Sequence, residues 1–89
     1  MSDNIEKFRE LLSKNTVWPM LYYFKFIVQN NQEKLNKVKE LFADQSAITY
    51  NTSKDINFIS LSCKQIMPDA ESIIAIYEKA SLVDGLIAL

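Results

Sequence analysis

The 89-residue chain has no histidine, one cysteine, one glycine, two prolines and one arginine. Each scarcity closes off a kind of chemistry. Without histidine, no imidazole can serve as a general acid or base near neutral pH. A lone cysteine, Cys63, cannot close an intramolecular disulfide, and the chain shows no zinc-type ligand spacing. With Gly85 as its single glycine, the chain has neither a phosphate-cradling loop nor a dinucleotide fingerprint. No apolar run approaches the ~20 residues needed to cross a bilayer. The opening Met1-Ser2-Asp3-Asn4 is polar and leads into a charged, amphipathic segment, not a signal core. The expected compartment is a reducing cytoplasm.

No charge of one sign dominates either: ten basic residues stand against eleven acidic ones, with net charge −1. Nucleic-acid domains gather Lys and Arg on one face. Here Arg9 stands alone and the lysines are scattered among acids, so neither nucleic acid nor membrane is an expected partner. Hydrophobic residues at 48% and charged residues at 24% are ordinary globular usage and exclude a disordered chain. A chain of this size forms one core and buries roughly two-thirds of its unfolded surface. The expected organisation is a single domain over 1–89, with an amphipathic helix in 1–16 and a βαββαβ core in 18–89.

The pattern of apolar residues supplies the elements. Ile5, Phe8, Leu11 and Leu12 form one helical stripe from Ser2 to Lys14, with Ser2 or Asp3 as cap. Asp3/Lys7 and Glu10/Lys14 have favourable i,i+4 spacing, and the helix is expected to pack at the domain's edge. Trp18-Pro19 stops it, because proline disfavours the helical conformation of the preceding residue. Met20 to Gln29 is aromatic and β-branched. Its alternation puts Tyr22, Phe24, Phe26 and Val28 on a core face, and Tyr23, Lys25 and Ile27 on the other.

Asn30 followed by Glu33 resembles a capping box and opens a second helix, carrying Leu35, Val38, Leu41 and Phe42 and ending near Asp44-Gln45. Ile48-Thr49-Tyr50 begins a short strand. Asn51 to Asn57 reads as a loose, polar hairpin turn. From Phe58 to Met67, Ile59, Leu61 and Cys63 point inward while Phe58, Ser60, Ser62 and Lys64 point outward. Pro68-Asp69 caps a third helix with Ile73, Ile74, Ile76, Tyr77 and Ala80, and Leu86 to Leu89 forms a last strand after Gly85. The order predicts an α+β fold: an antiparallel four-stranded sheet with helices on one face, plus the extra N-terminal helix.

Three segments resemble the YbeD-like family of small uncharacterised bacterial proteins. Trp18-Pro19-Met20-Leu21-Tyr22-Tyr23-Phe24-Lys25 is similar to its aromatic-Pro opening, and Asn57-Phe58-Ile59-Ser60-Leu61 to the start of its third strand. Tyr77-Glu78, Asp84-Gly85-Leu86 and Leu89 are similar to its closing pattern, so the likeness runs from Trp18 to Leu89. It implies a ferredoxin-like βαββαβ fold akin to the ACT regulatory domains, which bind amino acids and pair side by side. The chain departs from the family at two positions where glycine is usual. It has Val28-Gln29-Asn30 after the first strand and Asp55-Ile56 in the hairpin.

Candidate chemistry in the chain has plain structural readings. Glu6 and Glu10 lie one turn apart on a surface helix and read as a solvated helix face rather than a carboxylate pair. Cys63 alternates in phase with Ile59 and Leu61 and reads as a core thiol. Ser60, Ser62, Lys64 and Lys25 have the alternation of a solvated antiparallel face rather than of a catalytic pair. Tyr23 and Phe58 suggest base stacking, but the chain is acidic and lacks the basic-glycine-aromatic pattern of RNA-recognition motifs. What remains is the outward sheet face, Tyr23, Lys25, Ile27, Phe58, Ser60, Ser62 and Lys64, richer in apolar and aromatic groups than solvent requires. The expectation is a non-enzymatic interaction or regulatory module without cofactor, catalytic or metal-binding residues. It pairs with itself or another protein through that face or an edge strand. The alternative is a sensor of a small metabolite such as an amino acid.

Overall fold

A computed structural model describes residues 2–14 and 17–89, without the side chains of residues 2–4 and 45. It is an α+β structure. Helix α1 (Ser2–Ser13) precedes strand β1 (Met20–Gln29), helix α2 (Gln32–Lys39), a 3₁₀ turn (Gln45–Ala47) and strand β2 (Ile48–Thr52). Strand β3 (Phe58–Met67), helix α3 (Ala70–Ala80) and strand β4 (Ile87–Ala88) complete the chain. The sheet is antiparallel throughout, in the order β2-β3-β1-β4. Trp18-Pro19 is a cis peptide.

The strand phase follows the sequence alternation. The long central strands pair over ten positions, with Phe24 opposite Cys63, Phe26 opposite Leu61 and Val28 opposite Ile59. All but Ile59 of these six are buried, and they pack against Val38 and Phe42 from the α2 side and Ile73, Ile74 and Ala80 of α3. Fully burying each such large side chain contributes about 1.5–3 kcal/mol relative to exposure, so this face fixes the register. A cluster of rings reinforces it: the centroid of Phe24 lies 5.3 Å from that of Phe42 and 5.6 Å from that of Tyr77.

Helix α1 docks on α3 and leaves the outer sheet face uncovered. Phe8 meets Tyr77 edge-on at 5.1 Å, Leu12 is buried, and Arg9 bonds Glu71 at 2.7 Å. The expected stripe loses one member, since Leu11 is 64% exposed. Ile5, Phe8 and Leu12, at i, i+3 and i+7, suffice to seat the helix, and Leu11 falls to the side. The proposed caps Ser2 and Asp3 have side chains outside the described residues. Among the described residues, the ion pairs are those of Arg9 with Glu6 and Glu71.

Helix α2 is displaced at both ends from its expected limits. Its cap is Asn31, not Asn30: Asn31 is extended (φ −138°, ψ 125°), and its side-chain oxygen accepts from the N–H groups of Glu33 and Lys34. Asn30 ties β1 to the hairpin instead, donating through its main chain to Asn57 (2.8 Å) and its side chain to Ile56 (2.9 Å). The helix stops at Lys39 rather than near Asp44-Gln45. Its last turn tightens to i,i+3 bonds, Leu41 to Val38 and Phe42 to Lys39, which carries Phe42 into the core without further α-helix.

The hairpin is also tighter than expected. β2 runs on to Thr52, and the turn is tied by Ser53 N–H to the Phe58 carbonyl and Ile56 N–H to the Ser53 carbonyl, both 2.9 Å. The Asp55 carboxylate accepts from Ser53 and Asn57, and these bonds hold it below the usual carboxylate pKa. Ile56 has φ +56°, in the left-handed region where a β-branched residue is strained. The last strand is shorter than expected, Ile87–Ala88, with Gly85 at φ +75° turning the chain into it.

Candidate functional site

The outer sheet face is positioned by β1 and β3, because side chains of alternate residues leave opposite sides of the sheet. All seven residues expected on it are there. Tyr23 stands opposite Lys64, Lys25 opposite Ser62, Ile27 opposite Ser60, and Phe58 at the end opposite Gln29. Strand β2 extends these rows with Thr49 beside Ser62 and Asn51 beside Ser60. The Lys64 ammonium lies over the Tyr23 ring, 5.7 Å from its centroid, and the Ser60 hydroxyl donates to the Asn51 carbonyl at 3.3 Å.

The face has three zones. At its centre is a depression of about 510 Å³ lined by Lys25, Lys64, Thr49, Asn51, Ser60 and Ser62, with Tyr23 at its rim. At one end Leu21 and Ile66 stand directly opposite each other, 64% and 71% exposed. At the other end Ile27, Phe58 and Ile87 surround a second, apolar hollow. Ammonium and hydroxyl donors dominate the centre, and none of the described residues on these rows is a carboxylate. The face therefore presents positive potential in a chain whose net charge is −1.

Leu21, Ile66, Thr49, Asn51 and Ile87 were missed in the sequence reading of this face. The first two continue the same alternation as Tyr23 and Lys64 by one step each, so the signal was present. The β2 and β4 residues depend on pairing register, which alternation within one strand does not provide. Tyr23 and Phe58, the two aromatics considered for base stacking, are separated by six residues along β1, about 20 Å at strand rise. They are not adjacent.

The remaining candidates lie elsewhere. Cys63 is 1% exposed on the inner face, and burial pushes its thiol pKa up. Glu6 bonds Arg9, while Glu10 is exposed on α1. The inner face also holds a pair not foreseen: the Tyr22 and Tyr77 hydroxyls, on β1 and α3, lie 3.1 Å apart. Burial first, and the Tyr22 hydroxyl second, push the Tyr77 pKa well above the ordinary phenol value. Among the described residues no cluster of His, Cys, Asp or Glu could hold a metal ion. No described helix is long and apolar enough to cross a membrane.

Compared with known proteins, the chain matches no family model, no curated protein sequence and no solved structure.

Proposed function

We propose that this chain is a cytoplasmic, non-enzymatic interaction module that docks a protein partner through its open sheet face. The core we assign is a ferredoxin-like βαββαβ sandwich of the YbeD-like kind. The strand order supports that fold: β1 and β2 run parallel with β3 between them, and β3 and β4 run parallel with β1 between them. Two interleaved β-α-β units give this arrangement.

The observation that carries the docking reading is the distribution of charge on the uncovered face. Two lysines and several hydroxyls form a centre without carboxylates, between two exposed apolar ends. A complementary partner presents acidic groups opposite Lys25 and Lys64, and apolar side chains against Leu21/Ile66 and Phe58/Ile87. A second copy stacked face to face would bring four ammonium groups together, which like-charge repulsion opposes. The test is capture of a partner from the source cell, its purification, and titration of the pure pair. Lys25→Glu with Lys64→Glu weakens binding about tenfold or more, as does rising salt, whereas Leu82→Ala on the distant surface changes nothing. Binding indifferent to the charge reversal refutes the assignment. Mass that grows with concentration in the isolated protein would make the occupant a second copy.

The central depression favours a second reading, that of a sensor for a small anionic metabolite such as an amino acid held through its carboxylate. That reading expects one compound of an amino-acid panel to raise the melting temperature by several degrees, with the gain lost in the lysine variants.

A further inference from the structure

The centre of the open face gathers its donors around one point. Ser62 stands in the middle, with Lys25 directly across on β1 and Thr49 directly across on β2. Residues directly opposite in an antiparallel pair have Cβ atoms about 4.5–5.5 Å apart. Lys64 and Ser60 flank Ser62 two positions away along β3, about 7 Å at strand rise. Lys25 and Lys64 are diagonal neighbours, about 7–8 Å apart. Lysine stems span these distances, so both ammoniums and the hydroxyls of Ser62 and Thr49 converge on the central depression. The chain does not use these groups up itself. The Ser60 hydroxyl is engaged by the Asn51 carbonyl, and the Lys64 ammonium lies over the Tyr23 ring. Among the described residues, however, no carboxylate pairs with either ammonium, and the Ser62 and Thr49 hydroxyls have no hydrogen-bond partner. Lys25 and Ser62 are half-buried, so the strands hold them in place.

We infer that this centre is a phosphate-binding site, and that the acidic group the partner places there is a phosphorylated Ser or Thr side chain. The inference rests on the proposed docking through the open face and names the chemistry of what docks. Charge selects the group. A phosphomonoester carries about −1.5 to −2 at pH 7 and three strong acceptor oxygens, which matches two ammoniums and two free hydroxyls around one point. A single carboxylate neutralises one ammonium and leaves the other unmatched. Lysine binds phosphate as a point charge, so the site needs no planar guanidinium. The flanks select a polypeptide as the carrier. Ile66 and Phe58, both exposed, lie four residues to either side of Ser62 on β3, about 13 Å each at strand rise. An extended peptide lying along β3 covers that span with four residues of its own, and residues an even number apart share one side. Apolar side chains four positions before and after the phosphorylated one therefore reach Leu21/Ile66 and Phe58/Ile87 together. Free phosphate or a small phosphorylated metabolite fills the centre and leaves both apolar ends uncovered.

The probe is a capped nine-residue peptide with phosphoserine at its centre, Leu at each end, and Thr and Gln between. It is titrated into isotope-labelled protein at low salt and followed by the amide resonances. Those of Lys25, Thr49 and Ser62 shift, together with those of Phe58 and Ile66. The phosphopeptide binds about tenfold or more tighter than the same peptide with Ser or Glu at its centre. Lys25→Gln and Lys64→Gln each weaken it about tenfold. Lys64 is exposed, so its substitution tests the site whether or not Lys25→Gln disturbs the fold. Replacing both Leu residues of the probe by Ser weakens it severalfold, and inorganic phosphate binds at least about tenfold less tightly than the probe. A Glu peptide equal to the phosphopeptide overturns the inference. So does absence of binding up to about 1 mM, or inorganic phosphate binding as tightly as the probe, which makes the ligand a small anion. The purified partner separates this inference from the docking on which it rests. Phosphatase treatment of that partner abolishes its binding. A partner that binds unchanged after dephosphorylation, yet is weakened by Lys25→Glu with Lys64→Glu, overturns the phosphate and leaves the open face standing. One indifferent to the charge reversal removes both.

Discussion

Tyr23 and Phe24 are adjacent aromatics of similar size on opposite faces of β1, which makes them a paired test of the strand phase. The Phe24 ring is 0% exposed and lies among those of Tyr22, Phe42 and Tyr77. Truncating a buried phenylalanine to alanine costs about 3–5 kcal/mol, part of it for the cavity left behind. Tyr23 is 52% exposed, and its main contact is with the Lys64 ammonium. A cation–π contact at an exposed site contributes about 0.5–1 kcal/mol, and Tyr23→Ala should cost little beyond that. A domain of this size has a total stability of about 4–13 kcal/mol. Phe24→Ala therefore leaves a marginal or unfolded protein, so Phe24→Leu, expected to cost about 1.5 kcal/mol, provides the measurable step between them. Urea titrations followed by far-ultraviolet dichroism and by fluorescence of Trp18 should order the midpoints wild type, Tyr23→Ala, Phe24→Leu, Phe24→Ala. Dividing by a slope of about 1–1.5 kcal/mol/M separates the two alanine variants by roughly 1.3–4.5 M. Equal losses at the two positions, or a larger one at Tyr23, would refute the assignment of faces and every surface described above.

Ile56→Gly should stabilise the protein by about 1 kcal/mol, because it relieves a left-handed β-branched residue; melting should rise by roughly 4–8 °C. No rise would mean that the turn holds Ile56 without strain. Cys63 should react with a thiol reagent orders of magnitude more slowly in the native protein than in urea. Its native rate should track global stability across the Phe24 series, since burial both hides the sulfur and disfavours the thiolate. Asp69, whose carboxylate accepts from the Ser72 N–H at 2.7 Å, and Asp55 in the hairpin both have pKa values held below the ordinary carboxylate range. The stability they add is present above about pH 4 and is lost as pH falls through the lowered values. Asp55→Asn with Asp69→Asn should flatten that acid limb while leaving its slope at neutral pH unchanged. Gln65 has a buried side-chain nitrogen without a hydrogen-bond partner. Gln65→Met, close in shape, should be neutral or stabilising by about 1 kcal/mol in the same urea assay.

Where burial imposes a period, the sequence was easy to read. The limits of β1 and β3 and the inward phase of Phe24, Phe26, Leu61 and Cys63 all follow from alternation between an apolar side and a mixed one. Competition between similar local signals was harder. Asn30 and Asn31 are both competent caps, and only the hairpin's demand on Asn30 decides between them. Phe42 prolongs the apolar spacing of α2 although the backbone reaches it through a tighter turn, so spacing alone overestimates the helix. The pairing of Tyr22 with Tyr77 arises where α1, β1 and α3 converge. No local pattern encodes a meeting of segments so far apart. The centre of the open face was legible in part, its apolar ends less so, because Ile87 reaches that face only through the β1–β4 register.

The strand order also dictates a sequence of assembly. Only β2 and β3 are neighbours both along the chain and in the sheet; β1 must wait for β3 to be synthesised, and β4 can dock only after β1 is in place. Until then the aromatic stripe of β1 has only the α2 side, with Val38 and Phe42, to lie against, and neither its sheet neighbours nor α3. The nascent chain thus passes through a stage in which its most apolar strand is its least protected, and the β2–β3 hairpin is the template that ends that stage.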